Sequence, residues 1–175
     1  MQSLPSKPKP KPKPAWHYSY TATGTSWHID VFDEISNAER ARLTQAIDHR
    51  SQEFEHNYSR FRDDSFVAQL AREAGTHPLP PDAAPMLDLY RELYEVSGGV
   101  LTPLIGQTLV DAGYDAEYSF QPKPTISLPP KWEDSIDYRA GSDSLTMKHP
   151  AQLDFGAIGK GYLVDLIATL IHEAG

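Results

Sequence analysis

The sequence predicts an α+β domain, a mainly antiparallel sheet with helices packed on it. Three observations carry that expectation. Trp27, Ile29 and Val31 alternate with Ser26, His28 and Asp30, the period-two pattern of a half-buried strand. Later stretches repeat apolar residues at helical spacing, as at Met86, Leu87, Tyr90, Leu93 and Tyr94. Strands and helices also follow one another irregularly, unlike the regular alternation of a doubly wound sheet.

In chain order, Lys7-Pro8 through Lys13-Pro14 is an alternating Lys-Pro tract, and residues 1–15 read as a stiff, solvated tail or linker. A docking tract for an acidic partner or a membrane surface is the other reading. Trp16 to Phe32 reads as two strands joined at Thr23-Gly24-Thr25. Ser36-Asn37-Ala38-Glu39 is a capping box that starts a helix to about His56, with Leu43, Ala46, Ile47 and Phe54 on one face. A polar segment from Asn57 leads to a short helix over 65–73, and a Pro-rich loop covers 76–82. A further helix over 83–97 stops at Gly98-Gly99. A turn and a short helix or loop follow to Tyr118, then a Pro-rich connection over 122–132. Residues 135–139 and 143–148 read as a hairpin, and a strand at 151–155 runs into a helix over 158–173.

The length of 175 residues suits one domain, expected over 16–175. The formal charge is −8; removing the four lysines of the first fourteen residues leaves −12 on the rest. That balance argues against a nucleic-acid partner, which selects a basic face. The chain contains no cysteine, which excludes disulfides, thiolate catalysis, Cys-ligated zinc and lipid attachment through Cys. No run reaches the roughly 18–20 apolar residues of a membrane span, and the basic N-terminus has no apolar stretch behind it. The compartment expected is the cytoplasm, or the cell envelope if a signal outside these residues exports the chain.

The segment richest in chemistry is Leu153-Asp154-Phe155-Gly156-Ala157-Ile158-Gly159-Lys160-Gly161-Tyr162. A strand ending at an acid, a Gly-rich turn with one Lys, and a helix start together suit an anionic, nucleotide-type ligand. A phosphate-binding Gly-x-x-x-x-Gly-Lys-Ser/Thr loop would need glycine where Asp154 stands and a hydroxyl where Gly161 stands. The dinucleotide fingerprint Gly-x-Gly-x-x-Gly fails as well, since the glycines fall at 156, 159 and 161. A purely structural strand-to-helix turn therefore stays open beside the ligand reading. The seven histidines form no His-x-His or His-Glu-x-x-His pair. His49 and His56 read as solvent-facing, Tyr90 and Tyr94 as core, and Arg60, Arg62, Asp63 and Asp64 as local ion pairs. No local Ser/His/Asp motif supports a hydrolase.

Four blocks, in order, resemble the FAD:protein FMN transferase (ApbE) family. They are Thr23-Gly24-Thr25-Ser26-Trp27, Tyr58-Ser59-Arg60-Phe61-Arg62-Asp63-Asp64-Ser65, Ser97-Gly98-Gly99-Val100-Leu101-Thr102-Pro103-Leu104-Ile105-Gly106, and the segment from Asp154 to Tyr162. The resemblance implies a T-fold-like α+β domain and transfer of FMN from FAD, through a phosphoester, to a Thr or Ser of a target flavoprotein, with AMP released and Mg²⁺ assisting. It implies that Asp154 hydrogen-bonds FAD and that Lys160 lies against it. Thr23, Phe61 and the backbone of Val100, Leu101 and Thr102 would line the flavin or adenine pocket, and the carbonyl of Ala157 would ligate the metal. No catalytic base is implied. Thr23 stands where the family has Met, Phe61 where Tyr is frequent and Thr102 where Asp is usual. The family's domain continues past the last helix, so the portion here is expected to be the N-terminal one. A downstream FAD-contacting His, and the Asp and Thr that complete the metal site, have no counterpart. The alternative expectation is a FAD-binding remnant or structural fragment without transfer activity.

Overall fold

The computed structural model describes residues 13–174. The Lys-Pro tract lies almost wholly outside the described residues. Ala15 already belongs to the folded body, since its carbonyl accepts Arg40 Nη2 at 3.1 Å.

Strands β1 (Trp16–Ala22) and β2 (Thr25–Val31) form an antiparallel ribbon in register from Trp16 opposite Val31 to Ala22 opposite Thr25. Thr23 and Gly24 make the two-residue turn with φ of 51° and 68°. Two positive φ values match the right-handed twist of a hairpin, and Thr is an unusual residue to bear one. The ribbon's inner face is aromatic, with Trp16, Tyr18, Tyr20 and Trp27 stacked in succession. Its phenols reach α1 (Asn37–Tyr58), Tyr18 donating to Asp48 and Tyr20 accepting from Ser51. The capping box of α1 is complete: Ser36 Oγ accepts the Glu39 N–H at 3.2 Å, and Glu39 accepts the Ser36 N–H at 2.8 Å.

The expected helix over 65–73 is the five-residue α2 (Phe66–Leu70), capped by Ser65. The expected loop over 76–82 begins instead as a strand, β3 (Gly75–Pro78), paired with β5 (Ser144–Met147). β3 is an edge of its sheet, where a terminal proline loses no ladder bond. Thr76 and Thr146 bridge the pair through their hydroxyls at 2.8 Å. β4 (Ile136–Asp137) completes the expected hairpin with β5, preceded by the single-turn helix α5 (Trp132–Ser135). Pairing is antiparallel throughout, divided between two small sheets.

Helix α3 (Ala83–Val96) ends as expected, with Gly98 and Gly99 at positive φ and the Gly99 N–H bonded to the Tyr94 carbonyl at 2.8 Å. A 3-10 turn (Pro103–Ile105) leads into α4 (Gly106–Asp111), and α6 (Gly159–Glu173) closes the described chain. The core lies between α1, α3, α6 and the three-stranded sheet. It includes Ile47, Phe54, Leu87, Tyr90, Trp132 and Leu163, all nearly or wholly inaccessible. Tyr90 is core as expected, whereas Tyr94 is half-buried at its margin.

The strand expected at 151–155 is absent. Leu153 and Phe155 are buried, but the backbone bonds to helix ends and turns instead of a neighbouring strand. Ala151 N–H donates to Leu70 O, Gly106 N–H to Gln152 O, and Asp154 N–H to Pro103 O at 2.7 Å. The apolar alternation thus specifies an extended segment, while its partners are not strands. This segment brings Asp154 against Arg60.

Candidate functional site

α1 ends at Ser59, whose N–H still bonds to Glu55 O, and the chain then turns inward. The turn buries Arg60, whose side chain is 3% exposed. Its Nε donates to Asp154 Oδ2 at 2.6 Å across 94 residues of sequence, and its Nη2 donates to the Tyr114 carbonyl at 2.6 Å. The local ion pair expected for Arg60 is thus corrected. Only Arg62 and Asp64 pair locally, at 2.8 Å and in the open. The guanidinium lies over two rings, 4.2 Å from the centroid of Phe61 and 4.8 Å from that of Tyr114.

Asp154 is held at every polar atom. Its Oδ1 accepts the Gly156 N–H at 2.7 Å, its N–H donates to Pro103, and its carbonyl accepts the Tyr90 hydroxyl at 3.2 Å. Burial, and then the charge of Asp154, push the Tyr90 phenol well above its ordinary range, so it remains a donor. A Cβ at residue 156 would stand 2.7 Å from Asp154 Oδ1, which explains a glycine there. Beside this centre, Tyr58 donates to Asp82, which also pairs with Arg50, and the Tyr58 ring packs on Phe155 at 5.4 Å.

An aromatic roof covers the guanidinium. Phe61 stacks with Tyr118 at 5.2 Å, and Tyr114 and Phe120 complete the group. Tyr114, Tyr118 and Phe120 are exposed, and the last two hold φ of 51° and 50°. Strained, exposed aromatic residues are the kind of surface that flat ligands use. The Tyr118 hydroxyl lies 4.0 Å from where a Cβ at Gly24 would stand, so the β1–β2 turn reaches the same place. The Thr23 amide there donates to the Glu55 carboxylate, and the Thr23 hydroxyl to Ala22 O at 2.8 Å.

Several residues singled out from the sequence therefore converge. The Thr23 turn, Phe61 and Asp154 surround the Arg60 guanidinium and its aromatic roof, and Thr102 precedes the carbonyl that fixes Asp154. Thr102 is buried, and its hydroxyl accepts the Leu104 N–H, so its side chain serves the 3-10 turn. Leu101 is half-buried, with its N–H on Ser97 Oγ at 2.9 Å, whereas Val100 is 81% exposed. Ala157 and Lys160 are exposed at the mouth of the turn. Ile158 caps α6 without a side-chain hydrogen bond, which leaves first-turn N–H groups for other partners. A methyl at Gly161 would meet nothing within 4 Å, so packing does not explain this glycine. Arg60, Glu55, Tyr114 and Tyr118 escaped sequence reasoning. No local signal couples Arg60 to Asp154.

Asp154 and Ala157 do not by themselves make a Mg²⁺ site. Mg²⁺ takes oxygen ligands in octahedral array. The Ala157 carbonyl is one candidate, but both Asp154 oxygens already have hydrogen-bond partners. No group of three His, Asp or Glu among the described residues is arranged to hold an ion.

A family model described as the ApbE family matches residues 23–175. The chain belongs to the ApbE family. Among curated relatives, the FAD:protein FMN transferase of Treponema pallidum (strain Nichols) is 30% identical over 160 residues, covering 85% of this chain and 44% of that protein. Among solved structures, the H257G mutant of the flavin transferase ApbE from Vibrio cholerae superposes with a TM-score of 0.76 at 18% identity, over 91% of this chain and 57% of that one. The apo flavinyl transferase ApbE of Pseudomonas stutzeri gives 0.71 at 16%, over 91% and 55%. These likenesses establish the fold. The chain spans about half the length of these ApbE relatives.

Proposed function

We propose that this chain serves FAD:protein FMN transfer, with FAD as substrate and a Thr or Ser of a target flavoprotein as acceptor. The observation that carries the proposal is the buried Arg60–Asp154 pair, whose two residues come from blocks that resemble the family, under an exposed aromatic roof. The roof offers π-faces to a flat heterocycle. Asp154, locked by Arg60 and Gly156, keeps a second lone pair on each carboxylate oxygen to accept a ring N–H. Lys160 and the first turn of α6 offer charge and N–H groups to a diphosphate. The open space at Gly161 gives such a group close access to the backbone.

In the transfer, the acceptor hydroxyl oxygen bonds to the FMN-side phosphorus. The bond from that phosphorus to the bridging oxygen breaks, and the bridging oxygen leaves on AMP. The hydroxyl proton passes to a base that is not among the residues assigned here. Within this chain, the residues described bind and orient FAD. A Mg²⁺ requirement belongs to the same proposal, and it would draw on ligands other than those described. A second reading is that the chain binds FAD without completing transfer.

A thermal-shift titration with FAD tests the binding. Ligand bound only to the folded state adds RT ln(1 + [L]/Kd), about 2.7 kcal/mol at a hundredfold excess. The expected result is a stabilisation by FAD that Asp154→Ala abolishes. No shift with the wild-type chain at any FAD concentration would overturn the proposal. Mass spectrometry of a Thr-bearing acceptor incubated with FAD, with and without EDTA, then separates the transferring enzyme from the binding-only reading.

A further inference from the structure

The outer face of the β1–β2 ribbon plays no part in the site above. Period two places His17 and Ser19 of β1, and His28 and Asp30 of β2, on this exposed face. The register sets His17 opposite Asp30 and Ser19 opposite His28, so the two imidazoles are diagonal neighbours. Their rings stack at 5.9 Å.

The polar groups on this face form one hydrogen-bonded chain centred on the Ser19 hydroxyl. Asp30 Oδ1 stands 2.6 Å from His17 Nδ1, and a carboxylate only accepts, so His17 donates from Nδ1 and Nε2 presents a lone pair. That lone pair faces Ser19 Oγ at 2.8 Å, and His28 Nδ1 faces the same oxygen at 2.9 Å. The hydroxyl donates to His17 Nε2 and accepts the proton that His28 carries on Nδ1. Two imidazole nitrogens thus converge on one point, and Asp30 fixes one of the rings from behind. A carboxylate on the far nitrogen of a histidine is the support that metal-binding imidazoles characteristically have. The backbone beneath is anchored by the stacked inner aromatic residues and the Tyr18–Asp48 bond, so the pair sits on a rigid platform.

We infer that His17 and His28 form a binding site for a borderline transition-metal cation, Zn²⁺, Cu²⁺ or Ni²⁺, with water filling the other positions. Asp30 positions His17 and is not a ligand, in keeping with the absence of any three-ligand group among the described residues. Imidazole ligands select these ions over Mg²⁺ and Ca²⁺, and Cu²⁺ binds most tightly of the series. The net charge of −8 favours any cation at the surface. The inference is independent of the flavin reading.

The test is a calorimetric titration of the full chain with Cu²⁺ alone, with Mg²⁺ as control, and electron paramagnetic resonance of the copper form. The expected result is one Cu²⁺ per chain with nitrogen coupling from imidazole. His17→Gln and His28→Gln should each weaken binding about tenfold or more, and Asp30→Asn by about 10–100-fold. His49→Gln, an exposed histidine on α1, should change nothing. These side chains lie on the surface, so circular dichroism and Tm should stay at the wild-type values. No uptake of Cu²⁺, or uptake that His17→Gln and His28→Gln leave unaltered, would overturn the inference.

Discussion

The two ends of α1 are held by different physics. At its N-terminus, Ser36 and Glu39 satisfy each other's backbone groups across three residues, in full solvent. Past its C-terminus, Arg60 is buried and bonded to Asp154 across 94 residues. The first end is a local device that any similar tetrapeptide could supply. The second exists only when the whole domain has closed, and it lies at the candidate site. The difference teaches that local regularity marks where an element begins, whereas function collects where distant parts must agree.

Breaking each end separately sharpens that contrast. The largest effect is expected for Arg60→Ala, which strands a carboxylate in a nearly dry pocket and should lower stability by about 3–5 kcal/mol. The apolar double replacement Arg60→Met with Asp154→Leu should cost less than the single one, because it removes both charges. Urea denaturation measures both. A loss under about 1 kcal/mol for Arg60→Ala would make the two ends equivalent and break the comparison.

Ser36→Ala comes next. Loss of the cap should cost about 1 kcal/mol by the same denaturation assay, with FAD affinity unchanged. A change in FAD affinity there would mean that the two ends communicate.

Gly161→Ala carries the opposite sign. Nothing crowds a methyl at this position, and alanine suits a helix better, so stability should rise by up to about 1 kcal/mol. FAD binding should fall if the open space is where the diphosphate meets the backbone. A variant that is both stabler and fully competent would restore the structural reading of this glycine.

The smallest effect concerns the ribbon side of α1. Burial, then the hydrogen bond to Asp48, push the Tyr18 phenol from 10.0 up to about 12. The folded state holds this proton more tightly than the unfolded chain. The contribution is therefore intact below pH about 10 and is lost as pH rises through about 12. Melting curves across that window should fall less steeply for Tyr18→Phe than for the wild type, since other buried tyrosines contribute equally to both.

Most elements were legible because their signals are local. The Ser36 box, the Thr23-Gly24 turn and the Gly98-Gly99 stop each act within a few residues, and all appear where expected. β3 was missed because Pro78 and its neighbours read as loop, and only pairing with β5 makes them a strand. The 151–155 segment was read as a strand because Leu153 and Phe155 alternate correctly. Alternation reports which side chains are buried and is silent on what the backbone bonds to. Arg60 was assigned to nearby acids because sequence offers no measure of distance across the fold.

The sequence by itself determined the fold class, the element order, the antiparallel hairpins and the family, since these rest on periodicity, caps, turns and ordered motifs. It also singled out Asp154, Phe61 and Thr23, each within a recognisable block. Only the tertiary structure decided that these residues meet, that Arg60 holds Asp154, and that Tyr114 and Tyr118 cover the pair. It alone placed His17 and His28 around one hydroxyl. The reason is the same in each case: a buried charge or a shared proton needs a partner at hydrogen-bond distance, and which partner arrives is settled by packing.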